Sequence, residues 1–278
     1  MAYKSLLGVV TAEQEAAHLT AQLAQVAAEQ SAHAEAFCLG VDRTQNGYDY
    51  AGLGVLAVQD GLKEAQDHAR VLLEQARATL GASSVEWAAE AGVALAPDLG
   101  RVVARRARFA DLLVAARPYG DGTGPDHAAI VEAALFGARI PALVLPGGTV
   151  RTDPDVVVVA WNESAEAMAA IRAALPLLQQ SSLARITVID PPRHGPERSD
   201  PGGALGQWLS RHGVRCEIDV LAGSMPRVSD VLNRLVADTG ANMVVMGAYG
   251  HSRFREAILG GATRNMLEQA SVPVLMAH

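Results

Sequence analysis

Apolar stretches alternate between two periods along residues 153–278. Residues 156–160 form a continuous β-branched run, which is typical of a strand covered on both faces. Ser164 follows as a helix N-cap, and apolar residues then recur at helical spacing. Further strands are predicted at 185–189, 214–221, 243–246 and 272–276, and further helices at 205–212, 228–236 and 264–270.

This alternation of strands and helices predicts an α/β fold with a parallel sheet covered by helices. Pro176 is expected to kink or loosen the first helix, and Gly240 to end the helix over 228–236. In such sheets, ligands bind beyond the carboxyl ends of the strands, at the point where the strand order reverses. Candidate site residues are therefore sought directly after the predicted strands.

The chain contains two copies of one unit. Three blocks recur at a near-constant offset: 86–92 with 217–223, 109–116 with 240–247, and 140–145 with 272–276. The repeats predict domains at 1–148 and 153–278, joined by a Pro- and Gly-containing linker. The first copy is longer, and we assign the excess to an insert without clear period at 42–60.

The charge balance excludes some classes of function. The chain has 23 Lys and Arg against 30 Asp and Glu, a net charge of −7, which disfavours a general nucleic-acid binder. Lys4 and Lys63 are the only lysines, so the P-loop motif G-x-x-x-x-G-K-[ST] is absent. A phosphate site would therefore use backbone amides, hydroxyls or arginines.

Cysteine content and hydropathy predict a cytoplasmic protein without a membrane span. The two cysteines, Cys38 and Cys216, lie in apolar stretches and are expected to be buried strand thiols in a reducing compartment. No apolar run approaches the ~18 residues of a membrane span, and the segment Leu6–Val10 is too short for a signal-peptide core.

A glycine pattern follows the fourth predicted strand of the second copy. Gly247 and Gly250 are followed, after nine residues, by Gly260 and Gly261 at the start of a predicted helix. Glycines allow a tight turn and a close approach to a ligand, and the free amides of a helix N-terminus suit an anion such as a phosphate. The alternative is a glycine-rich turn that merely connects strand to helix.

With these residues, the second half resembles the universal stress protein family, whose nucleotide-binding members carry G-x2-G-x9-G-[S/T]. Gly247, Gly250 and Gly260 match this spacing, whereas Gly261 stands in place of the Ser or Thr. Thr263 falls where such proteins often place another phosphate-contacting threonine. Asn162 occupies the end of the first strand, where the family often has an aspartate that holds the nucleotide.

The resemblance implies ATP, with or without Mg²⁺, as the ligand. It places adenine near Trp161, Asn162 and Val188 and the phosphates on the glycine pattern and Thr263. It also implies two tandem five-stranded parallel-sheet domains of the adenine-nucleotide α-hydrolase-like type, paired as an internal pseudo-dimer, or a homodimer. The expected binding set is Ala160, Trp161, Asn162, Val188, Met246, Gly247, Gly250, His251, Ser252, Arg253, Gly260, Gly261, Ala262 and Thr263.

The first copy departs from this pattern. Ala116, Tyr119 and Ala129 stand at the positions equivalent to the three glycines. Prolines in the loop over 117–125 remove amide donors, and Asp121 and Asp126 would repel a phosphate. We predict no nucleotide site of the family type here and interpret this half as a support for the second; a different ligand is the alternative.

Other candidate groups have a structural and a functional interpretation. Ser252 nearly fits a nucleophile elbow but lacks its last glycine, and Arg253 and Arg255 are either phosphate contacts or solvated loop residues. The arginines of one predicted helix form a solvated face or a partner patch: Arg101, Arg105, Arg106 and Arg108. The histidines and cysteines do not show the spacing of a metal site.

Three functions from different classes fit these observations. The first is a nucleotide-binding stress-response protein that signals through conformation and an unidentified protein partner, with at most slow ATP hydrolysis. The second is an interaction module that has lost nucleotide binding, because Asn162 and Gly261 depart from the family pattern. The third, a nucleotidyl transferase, would need an H-x-G-H-type motif near the first strand, where His18 has no such partner.

Overall fold

The computed structural model describes residues 2–44, 54–120, 122–148, 150–191, 200–248 and 261–278. Its contacts divide the chain into two units. The N-terminal unit comprises Tyr3–Ala115 and Gly124–Ile140, and the C-terminal unit comprises Met1–Ala2, Ala116–Thr123 and Pro141–His278. The loop over 116–123, part of the first repeat in sequence, thus groups in space with the second. The domain boundaries at 148 and 153 remain predictions.

The N-terminal unit has a parallel sheet whose strands lie in the order β3-β2-β1-β4. Its helices surround strands made of small and β-branched residues, which is the arrangement that the alternating pattern predicts. The elements are β1 (Ser5–Val10), α1 (Glu13–Gln30), β2 (His33–Asp42), α2 (Gly54–Gly81), β3 (Trp87–Leu95), α3 (Leu99–Ala107), β4 (Leu112–Ala116) and α4 (Pro125–Glu132).

The insert expected at 42–60 is partly helical. β2 continues to Asp42, and α2 already begins at Gly54, so residues 54–60 are helical although their sequence shows no clear period. Residues 45–53 lie outside the described ranges.

The C-terminal unit contains the second repeat and one strand of the first. Its strand order is β5-β10-β9-β6-β7-β8, with all described pairs parallel except β5 and β10, which run antiparallel. The elements are β5 (Ala142–Leu145), β6 (Val156–Ala160), α5 (Ala165–Leu178), β7 (Leu183–Ile189), α6 (Gly203–Arg211), β8 (Cys216–Leu221), α7 (Val228–Thr239), β9 (Met243–Gly247), α8 (Ala262–Gln269) and β10 (Val274–Ala277). The predicted α/β fold is confirmed.

Two helix boundaries follow the predicted chemistry. The Ser164 hydroxyl accepts a hydrogen bond from the Ala167 amide at 3.1 Å, which confirms it as the N-cap of α5. Gly240 ends α7 in the left-handed conformation, with a φ of 64°. α5 is helical through Pro176 to Leu178.

The prediction that both cysteines are buried is right for Cys38 and wrong for Cys216. Cys38 lies in β2 and is fully buried, whereas Cys216 opens β8 and is half-buried. β8 stands last in the strand order of its unit, so its side chains are covered less completely than those of inner strands. No helix in the part of the chain that the structure describes is long and apolar enough to cross a membrane.

Candidate functional site

The strand order of the C-terminal unit reverses between β6 and β9. From β6 the chain proceeds to β7 and β8 on one side, then returns to β9 and β10 on the other. Val159 of β6 lies opposite Val245 of β9, so the residues that follow both strands emerge next to each other. This is the switch point at which open α/β sheets bind ligands, and Ala160, Trp161 and Gly247 all lie at it.

Gly247 allows a close approach of backbone to backbone. A Cβ added there would lie 2.5 Å from the Ala167 nitrogen and 2.7 Å from the Glu166 carbonyl carbon, both in the first turn of α5. No side chain larger than hydrogen fits without movement of β9 or α5. Met246, the preceding residue, is buried in β9. The absence of a Cβ at Gly247 therefore sets the spacing of β9 and α5.

The side chains of Asn162 and Ser164 accept hydrogen bonds from backbone amides at the N-terminus of α5. The Asn162 Oδ1 accepts a hydrogen bond from the Ser164 amide at 3.2 Å, and the Ser164 hydroxyl caps the helix. Asn162 is exposed, so its amide group faces solvent at the switch point. A ligand at this edge can meet that side chain, but the first turn of α5 already has its cap.

Trp161 holds a buried donor with no acceptor. Its backbone N–H donates to the Thr187 carbonyl at 2.9 Å, which continues the pairing of β6 with β7 beyond the strand end. The indole is half-buried, and its Nε1 has no hydrogen-bond partner among the described residues. A buried N–H without a partner is unfavourable by about 1–3 kcal/mol, so a ligand acceptor here would remove a real penalty.

α8 begins at an N-cap residue that has no side chain to cap it. Gly261 is its N-cap, with extended backbone angles (φ −67°, ψ 166°), and the Asn265 amide donates to the Gly261 carbonyl at 3.1 Å. Ala262 is exposed, and Thr263 is 5% exposed. The amides of this turn carry the positive end of the helix dipole.

The remaining predicted site residues fall into two groups. Val188 lies in β7, 4% exposed, with its Cγ2 directed at the position that a Cβ on Gly202 would occupy. Its side chain therefore presents little surface to a ligand. The other group lies outside the described residues: Gly250, His251, Ser252, Arg253, Arg255 and Gly260.

In the N-terminal unit, the corresponding helix start carries the protein's own charged groups. Arg43 donates to both carboxylate oxygens of Asp126 in the first turn of α4, at 3.2 and 2.5 Å, and the Asp126 side chain is 10% exposed. This hydrogen bond raises the pKa of Arg43. An acidic residue in the first turn of α4 disfavours a second anion, such as a phosphate, at that helix start.

His127 adds a second contact with a carboxylate at the same helix start. Its Nε2 lies 2.9 Å from the Glu15 carboxylate, and its Nδ1 accepts from the Gly124 amide at 3.1 Å. The hydrogen bond to Glu15 raises the pKa of His127, against the opposing effect of burial. Sequence reasoning missed Arg43, His127 and Glu15, because their partners are 83 and 112 residues away. Pro125 at the first helical position was the one local signal of this helix start.

The arginines of α3 do not form the fully solvated face that was one of the two interpretations of the sequence. Arg106 bridges Glu35 on β2 and Glu90 on β3. Arg101 pairs with Asp98 three residues earlier. Arg106 therefore ties α3 to the sheet, and the interpretation of a uniformly solvated face is wrong for this residue.

The second half is similar to known proteins of one family. The model of the universal stress protein family matches residues 154–278. A universal stress protein of Synechocystis sp. (strain ATCC 27184 / PCC 6803 / Kazusa) is 32% identical over 73 residues, which are 26% of this chain. The matched segment is 24% of that relative's own length, so the chain spans about a quarter of it.

Solved structures match along nearly the whole chain. The crystal structure of a universal stress protein from Archaeoglobus fulgidus DSM 4304 superimposes with a TM-score of 0.70 and 12% identity, over 98% of this chain and 96% of that one. A functionally unknown protein from Pseudomonas aeruginosa PAO1 gives 0.52 and 13%, over 99% and 92%. At these identities the likeness shows the fold.

Proposed function

Because residues 154–278 match the model of the universal stress protein family, we propose that this protein binds one adenine nucleotide per chain, in its C-terminal unit. ATP is the nucleotide that we favour, and the protein acts in a stress response through conformation and a protein partner, with at most slow turnover. Because the curated relative is matched over only a quarter of its length, this proposal stands on the residues of the site.

One observation carries the proposal: the N-cap residue of α8, Gly261, has no side chain that could cap the helix. α5 is capped by Ser164, and α4 holds the Asp126 carboxylate, whereas Gly261 leaves α8 without a side-chain cap among the described residues. Uncapped amides at a helix N-terminus favour a phosphate. The contrast supports one site, at α8, and none at α4.

The residues at the switch point fit a nucleotide. The Nε1 of Trp161, which has no partner among the described residues, and the exposed amide of Asn162 offer polar contacts to a base or ribose. The amides of Gly261, Ala262 and Thr263 would receive the phosphates, and the glycine pattern assigns Gly250 and Gly260 to the same role. A bound Mg²⁺ would neutralise phosphate charge and take most of its ligands from the phosphates and water.

An interaction module without nucleotide is the second candidate function. The Asn162 oxygen already accepts the Ser164 amide, and Gly261 supplies no hydroxyl to a phosphate. Both features reduce the polar groups available to a nucleotide compared with the family pattern. In that case the fold would serve as a surface for a protein partner.

Native mass spectrometry of the gently purified protein, followed by denaturation and chromatography, tests the proposal. We expect one adenine nucleotide per chain, or one binding equivalent in calorimetry with Mg-ATP. Two equivalents would contradict the assignment of the N-terminal unit as nucleotide-free. Failure of ATP, ADP, AMP and cyclic AMP to bind would favour the interaction module.

A matched pair of variants locates the site. The φ of −67° at Gly261 suits proline, so Gly261→Pro removes one amide donor without forcing that angle, and Gly261→Ala retains the amide. We expect the proline variant to lose at least about tenfold in affinity, the effect of one lost charge-assisted hydrogen bond. The alanine variant should bind like the parent; equal affinities in both variants would place the phosphates elsewhere.

A further inference from the structure

A loop of the first sequence repeat contacts both the first and the last turn of α8. The Arg117 Nη1 donates to the Glu268 carbonyl at 3.0 Å, in the last turn of the helix. The Arg264 guanidinium, in the first turn, lies over the Tyr119 ring at 4.9 Å from its centroid. Residues 117–119 therefore run along α8 from its C-terminal to its N-terminal end; we name them the strap.

Each of these two contacts stabilises one end of α8. The last carbonyls of a helix lack intrahelical donors and carry the negative end of its dipole, so the Arg117 cation stabilises that end. At the other end, the Tyr119 ring holds Arg264 by a cation–π contact. α8 has 8 residues, and helices this short are marginal without tertiary contacts. The strap therefore contributes to how firmly the first turn is held.

The strap itself is held in place by local structure. Pro118, between Arg117 and Tyr119, is buried, and its ring fixes its own φ angle. Gly120 follows with a φ of 111°, which allows the chain to turn back, and the Thr123 hydroxyl donates to the Gly120 carbonyl at 2.8 Å. This turn restrains the position from which Tyr119 reaches Arg264.

We propose that the strap regulates the nucleotide site of the second repeat, with Arg117 and Tyr119 as positioning residues for α8. The inference rests on the proposed function. At the positions of the family's phosphate-binding glycines, the first repeat has Ala116, directly before the strap, and Tyr119, the last residue of the strap. The strap, in the first repeat, does not match the phosphate-binding pattern. It contacts α8, in the second repeat, whose first amides would bind the phosphates. A partner that displaced the strap would weaken nucleotide binding.

Variants of Tyr119 in the full chain test the strap through two readouts. The first is hydrogen exchange of the amides of 262–269 without nucleotide, and the second is the affinity for Mg-ATP. We expect Tyr119→Ala to speed the exchange and to weaken ATP binding by about three- to tenfold, since a cation–π contact and part of the helix order are lost. Tyr119→Phe retains the ring and should restore both. Phe109→Ala, which removes an 81% exposed aromatic of the first repeat outside the strap, is the control and should change neither.

The outcomes separate the strap from the proposed function. If the parent binds no nucleotide, the proposed function fails, and the exchange of α8 alone decides whether the strap holds the helix. Unchanged hydrogen exchange of the α8 amides in Tyr119→Ala would contradict the proposed role of the strap. Weakened binding with unchanged exchange would also overturn it, because Tyr119 would then act on the ligand directly. Urea unfolding of each variant separates these local effects from a general loss of stability.

Discussion

The imidazole Nε2 of His127 lies 2.9 Å from the carboxylate of Glu15, although 112 residues separate them in sequence. The His127 side chain is 11% exposed. Its Nδ1 is 3.1 Å from the Gly124 amide and 3.3 Å from the Gly124 carbonyl, so the protonated ring can donate to that carbonyl instead of accepting from the amide. This pair joins the first turn of α4 to the first turn of α1 inside the N-terminal unit.

The His127–Glu15 pair predicts a pH-dependent stability. The hydrogen bond to Glu15 raises the pKa of His127 above its ordinary value of 6.5. The contribution is therefore complete below pH 6.5 and is lost as the pH rises through the raised pKa. We expect His127→Gln to lower the free energy of unfolding by about 1 kcal/mol more at pH 6 than at pH 9, as measured by urea titration. An equal loss at both pH values would show that the charged pair adds nothing.

Gly247→Ala should destabilise the C-terminal unit. The added Cβ would lie 2.5 Å from the Ala167 nitrogen, and overpacking of this kind costs about 1–3 kcal/mol. Urea unfolding measures the loss. Gly100→Ala in α3 is the control, because a Cβ there meets nothing within 4 Å and alanine favours helix, so that variant should be neutral or stabilised. Equal effects at the two positions would contradict the close packing of β9 on α5.

Restoring the family's residues should strengthen nucleotide binding. Asn162→Asp supplies a carboxylate at the switch point that can still accept from the Ser164 amide, and Gly261→Ser supplies a hydroxyl at the start of α8. We expect each change to tighten Mg-ATP binding by about two- to tenfold in calorimetry, the range of one added hydrogen bond. Gln207→Glu is a control on the same unit, since Gln207 is exposed on α6. A gain from the control as well would indicate a general charge effect.

The two thiols should differ sharply in reactivity. Burial raises the pKa of Cys38 to about 11, which leaves almost no thiolate at neutral pH. Cys216 is half-buried and lines a cavity of about 590 Å³ beside α6, which gives a reagent access to it. We expect one fast-reacting thiol per folded chain with a disulfide reagent at pH 8, and its loss in Cys216→Ser. Two fast thiols in the native protein would contradict the buried position of Cys38.

The sequence determined the local elements and their class. β6 and β9 follow from continuous apolar runs, and the two helix boundaries from the capping chemistry of Ser164 and Gly240. The recurring blocks predict two repeats. These signals are readable because each depends on residues a few positions apart, through helical or strand periodicity or through a single cap. The glycine pattern likewise marks a strand-to-helix connection from its own residues.

Only the tertiary structure decided which distant groups meet. Strand order makes β8 the last strand of its unit and so leaves Cys216 half-exposed, and no local pattern records strand order. The pairs Arg43–Asp126 and Arg117–Glu268 join residues 83 and 151 apart. Such contacts depend on where chain segments pack after all strands have paired, so they carry no period along the sequence. The structure therefore distinguishes the two helix starts: the first turn of α4 holds the Arg43–Asp126 pair, whereas α8 begins at Gly261.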